Sequence, residues 1–113
     1  MITVSLFRNG EHRFSGFEAS GHADYGEAGA DIVCAAVSAL TQTALLGLLK
    51  YAGGRLSYSV KDGFVSVRLQ AVTDETEVIM ETLQLGLQEI SRQYEKYVAV
   101  YSSEAGGERN VQF

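Results

Sequence analysis

The sequence predicts an α+β domain: a two-layer sandwich in which a mainly antiparallel sheet, built from two hairpins, packs against two helices. Three observations carry this. Segments of apolar–polar alternation come in pairs joined by Asn9-Gly10 and by Asp62-Gly63, dipeptides suited to tight turns. Each pair is followed by a long segment without the two-residue period. The 113 residues contain no proline and no linker, a length that supports one core but not two. The expected order is ββαββα plus a short C-terminal edge strand, one domain over residues 1–113 with residues 103–113 as a flexible tail.

Taken in order, Ile2-Thr3-Val4-Ser5-Leu6-Phe7 alternates as a half-buried strand does. A return strand runs from about His12 towards Ser20. Its alternation slips between Phe14 and Phe17, around Gly16, which predicts a bulge; His12 reads as a solvated strand residue. A first helix should start near Asp31 and end around Tyr51, stopped by Gly53-Gly54. It is apolar on nearly every side, so it should pack between the sheet and something else. The second hairpin spans Arg55 to Lys61 and Phe64 to Gln70. A second helix starts at Thr73 or Asp74, where Asp74 with Glu77 resembles a capping box. Its inward stripe is Ile79, Leu83, Leu87, Ile90, Tyr94 and Tyr97, and Glu75, Glu81, Glu89 and Arg92 face outward. Val98 to Ser102 completes the set as an edge strand.

Composition narrows the function. A net charge of −5 and nine scattered Lys and Arg residues argue against direct nucleic-acid binding, which needs clustered cations. One cysteine forms no internal disulfide and fits a reducing cytosol; it also lacks a resolving partner for disulfide exchange. No signal peptide is evident. Ile32 to Leu49 carries no formal charge and has the length of a membrane span. Ser38, Thr41, Gln42 and Thr43 interrupt it, so a buried helix of a soluble fold is expected instead, with a cytoplasmic location and no membrane partner.

The chemistry concentrates in residues 21–38. Cys34 falls near a helix N-terminus, where open N–H groups and the macrodipole favour an anion, and the thiolate is the reactive form of cysteine. His22, twelve residues upstream on a Gly-rich loop, is placed to take the thiol proton. First-turn amides, that of Cys34 included, are candidate donors to a carbonyl oxygen that gains charge. Ser38 and Thr41 project on the cysteine's face. Asp31 has two open readings, a helix cap or a third member of the site. Gly21, Gly26 and Gly29 with Tyr25 form a loop suited to reshaping around a bound peptide. His22, Asp24, Asp31 and Cys34 could be taken for a metal site, but one thiolate and one imidazole are few for structural zinc. No metal or cofactor is therefore expected. The competing reading is a non-enzymatic peptide-binding module in which Cys34 is a small core residue.

Gly21-His22-Ala23, Gly29 and Asp31-Ile32-Val33-Cys34-Ala35-Ala36-Val37-Ser38 resemble the signature of the ribosomal-processing cysteine protease family of Firmicutes and related bacteria. The resemblance implies an endopeptidase that removes the N-terminal extension of large-subunit ribosomal protein twenty-seven, cutting after Phe in a hydrophobic segment. It also implies Cys34 as nucleophile, His22 as general base, support from Asp31 and Ser38, and a homodimer.

Overall fold

The structure, a computed structural model, describes residues 1–22, 30–103 and 110–112. The elements are β1 (Ile2–Arg8), β2 (Phe14–Ser20), α1 (Ala30–Tyr51), β3 (Leu56–Lys61), β4 (Phe64–Leu69), α2 (Asp74–Gln93), β5 (Val98–Ser103) and β6 (Asn110–Gln112). They form one six-stranded sheet in the order β3-β4-β2-β1-β5-β6. The two hairpins join through antiparallel β2 and β4, which makes the sheet mainly antiparallel as expected.

Two expectations fail at the C-terminal end. The strand at Val98 is not an edge: β5 runs parallel to β1, from Ile2 opposite Val98 to Phe7 opposite Ser103. Of residues 103–113, expected as a flexible tail, Ser103 and residues 110–112 are strand, and residues 104–109 and 113 lie outside the described residues. Ser103 is a buried residue of β5, and Asn110–Gln112 pair antiparallel with Tyr101–Ser103. The physical reason is that β5 would otherwise leave a row of open N–H and C=O groups, which β6 partners.

The first turn also differs. Asn9-Gly10 is not a two-residue hairpin loop, because the Asn9 side-chain oxygen accepts from the Glu11 and Arg13 amides. That local bonding widens the loop. The positive φ falls on His12, at 64°, rather than on Gly10. The bulge expected around Gly16 is present: Phe7 pairs with Gly16 and Arg8 with Phe14, so Ser15 is extra. A Cβ at Gly16 would run into the Val67 carbonyl on β4. The bulge lets Phe14 and Phe17, three apart, both point inward, and both are fully buried.

The core lies between the sheet and the helix pair. Ile2, Val4 and Leu6 of β1 and Val65 and Val67 of β4 meet Val33, Val37, Leu45 and Leu48 of α1 and Met80, Leu83 and Leu87 of α2. Met80 joins the inward stripe of α2, Ile79, Ile90, Tyr94 and Tyr97 only partly bury, and Tyr97 lies beyond the helix, whose cap is Tyr94. The helices run close: a Cβ at Gly47 would stand 3.3 Å from Ile79, and one at Gly86 3.1 Å from Leu40. The capping box of α2 is built by Thr73 and Thr76, not by Asp74 and Glu77. Thr76 N–H donates to Thr73 Oγ1 at 3.1 Å, and Thr73 N–H donates to Thr76 Oγ1 at 2.9 Å. Asp74 and Glu77 tie the helix to the first hairpin instead, pairing with Arg13 at 2.9 Å and accepting from the Phe14 amide at 2.9 Å.

Because Phe17 is fully enclosed, Phe17→Ala is expected to cost about 3–5 kcal/mol. That is a large share of the roughly 5–15 kcal/mol that holds a domain together. A drop in the urea midpoint at unchanged slope checks it.

Candidate active site

β2 and α1 deliver the two reactive side chains to one place. His22 follows β2 by two residues, and its carbonyl accepts from the Met1 amino group at 2.9 Å. The amide of the preceding Gly21 donates to the Gly63 carbonyl at 3.0 Å, which extends the β2–β4 ladder by one bond and sets His22 beside the β3–β4 turn. Cys34 is the fifth residue of α1, half-buried, and packs against the core on one side.

His22 and Cys34 line the same pocket, of about 180 Å³, closed by the start of β1, the end of β2, one side of α1 and the β3–β4 turn. Gly21 and Ser38 line it as well, and Ser38 is exposed one helical turn beyond Cys34. The structure therefore brings together four of the residues nominated from sequence. Tyr25, Gly26 and Gly29 lie outside the described residues, as does Asp24.

Asp31 is placed differently. The helix starts at Ala30, two residues earlier than its cap reading requires, so Asp31 lies inside the helix and is not its cap. Asp31 is an exposed first-turn residue and does not line the pocket. A carboxylate there stabilises the positive end of the helix. The earlier start also shifts Cys34 into the second turn, where its amide belongs to the i to i−4 ladder. The amides that a helix leaves open lie N-terminal to it, so the Cys34 amide is not the oxyanion donor expected. Thr41 lines the pocket with its hydroxyl proton donated to the Val37 carbonyl at 2.9 Å, which leaves it only as an acceptor there.

The pocket holds residues that sequence reasoning missed. Lys61, Asp62 and Gly63 of the β3–β4 turn and Gln42 of α1 all line it. Lys61 and Asp62 add one charge of each sign, and Gln42 adds a neutral carboxamide. Nothing in the sequence ties residues 61–63 to residues 22–34; only the sheet pairing of β2 with β4 does.

Comparison with known proteins places the chain in a family. The family described as cysteine protease Prp matches residues 1–99. The ribosomal processing cysteine protease Prp of Staphylococcus aureus is 33% identical over 102 residues, covering 87% of this chain and 95% of that protein. The crystal structure of a ribosomal processing protease Prp from S. aureus with a covalently linked product peptide superposes with a TM-score of 0.79 at 30% identity. It covers 91% of this chain and 100% of that one. The complex of the same protease with a substrate peptide gives 0.77 at 28% identity, with the same coverage. A protein of Streptococcus mutans gives 0.74 at 26% identity, over 92% of this chain and 95% of that one. A match over nearly the whole chain, on a fold that sets a cysteine and a histidine in one pocket, identifies this protein as a member of the Prp cysteine protease family.

Proposed function

We propose that this protease removes the N-terminal extension of large-subunit ribosomal protein twenty-seven, cutting after phenylalanine in a hydrophobic segment. The observation that carries the reading is the convergence of Cys34 and His22 on one open pocket. The S. aureus relatives, described as ribosomal processing proteases and crystallised with substrate and product peptides, support the substrate class.

In this reading His22 takes the Cys34 thiol proton, and the sulfur attacks the scissile carbonyl carbon. The tetrahedral intermediate collapses as the imidazolium returns the proton to the leaving amine, which leaves a thioester on Cys34. Water, deprotonated by His22, then attacks the thioester, releases the new carboxylate and restores the thiol. Ser38 and Gln42 supply neutral hydrogen-bond donors at the pocket wall, where the carbonyl oxygen gains charge.

The proposal includes a cytoplasmic enzyme that acts as a homodimer without a cofactor. The outer faces of α1 and α2 expose Leu46, Val78 and Leu85, apolar surface that a second copy would cover; sedimentation at the mass of a single chain would remove the dimer from the proposal.

Mass spectrometry of a digest of the unprocessed ribosomal protein tests the function, with Cys34→Ala as control. A single cut after Phe, absent in the control, is the expected result. An intact precursor after incubation with folded enzyme would overturn the substrate assignment.

A further inference from the structure

We infer that Gly63, in the turn between β3 and β4, is a positioning residue for His22: its bare Cα is the seat on which the imidazole rests. The inference deepens the proposed mechanism and rests on His22 acting as the base. It does not depend on which peptide is cut.

Two independent observations place the ring there. The Gly21 amide bonds to the Gly63 carbonyl at 3.0 Å, which fixes the backbone one residue before His22 against the turn. The ring itself then occupies the space where a side chain at residue 63 would begin. A Cβ on Gly63 would stand 2.8 Å from His22 Cε1 and 3.1 Å from Cδ2, and closer still to Nε2. Real Cβ atoms do not approach ring atoms that closely, so any other residue at 63 must displace either the imidazole or the turn.

His22 needs such a seat because it is exposed and follows the end of its strand. A surface side chain samples several rotamers, and a base that wanders by about 1 Å can lose about 10²-fold in rate. Contact with the flat backbone of a hairpin turn removes part of that freedom. The same hairpin is held in register by the pairing of Lys61 with Phe64, so the seat belongs to the sheet and not to a free loop.

Gly63 also has φ of 71°, a backbone that glycine favours for its own reasons. The two roles separate cleanly. Asparagine tolerates the left-handed region yet carries a Cβ, so Gly63→Asn keeps the turn and removes the seat. Gly53→Asn is the matched control: its φ is 60°, and nothing stands within 4 Å of its missing Cβ.

The experiment reads kcat and KM, and the pH profile of Cys34 alkylation by iodoacetamide, which requires no peptide substrate. The groups around His22 that shape that profile are Cys34, Lys61, Asp62 and the Met1 amino group. Gly63→Asn is expected to lower kcat by about 10- to 100-fold with KM little changed and to shift the alkylation profile. Gly53→Asn should leave both as in the wild type. In the His22→Ala background Gly63→Asn should cause no further loss, since nothing remains to be displaced. Equal losses in the two backgrounds, or wild-type kcat and profile in Gly63→Asn, would overturn the inference. Should the variant not fold, the wild type still decides. A nuclear Overhauser contact between the His22 ring protons and the Gly63 Hα is expected, and its absence in the folded protein rejects the seat. Failure of the ribosomal substrate alone would leave the alkylation result standing.

Discussion

Cys34→Ala is expected to abolish hydrolysis, with kcat falling by at least about 10⁴-fold, the scale seen when a covalent nucleophile is removed. The thiol forms the bond through which the acyl group passes, and no second cysteine exists to replace it. Peptide affinity should stay within about threefold, because the sulfur contributes to the transition state far more than to ground-state binding. Stability should fall by about 1 kcal/mol or less, since Cys34 is half-buried and loses only one heavy atom of its packing. A burst-free progress curve beside an unchanged calorimetric titration would meet all three expectations. Turnover near the wild-type rate would remove Cys34 from the mechanism.

His22→Ala is expected to lower kcat by about 10²–10⁴-fold, the usual contribution of a positioned general base. The exposed ring carries little of the core, so the thermal transition should move little. The distinguishing readout is pH dependence. Without the imidazole no base stands beside the thiol, so the alkylation profile of the variant should differ from that of the wild type. The double variant with Cys34→Ala should be no worse than Cys34→Ala alone, because two residues serving one proton transfer do not act additively. Unchanged kcat in His22→Ala would assign the base elsewhere in the pocket, with Asp62 the next titratable group to test.

Local signals in the sequence were reliable wherever one short segment settled the geometry. Asp62-Gly63 joins β3 directly to β4, and the slip around Gly16 marks a real bulge. The Asn9-Gly10 signal failed because one side-chain oxygen captured two amides and widened the loop. Thr73 and Thr76 formed the cap expected of acidic residues because hydroxyls can serve in both directions, leaving Asp74 and Glu77 for Arg13 and Phe14. Val98 to Ser102 was expected at an edge and is interior, with Val98, Ala99 and Val100 all buried, because its parallel partner at the other end of the chain could not be read locally. Cys34 and His22 stand out in the sequence because their side chains are rare and reactive, and the fold sets both in one pocket. Gly63 does not stand out, since the turn already accounted for a glycine there and only the assembled sheet shows the ring above it.

The parallel contact between β1 and β5 makes one side of the pocket a non-local construction. Ile2 is held on one side by the Tyr97 carbonyl and lies opposite Val98, and Ile2 is itself part of the catalytic pocket's wall. The flank of the pocket therefore closes only once strands from opposite ends of the described sequence have paired. Contacts this distant in sequence form late and slowly. The pocket that holds Cys34 and His22 is therefore expected to be among the last features of the fold to form, a product of the finished sheet and not of any one segment.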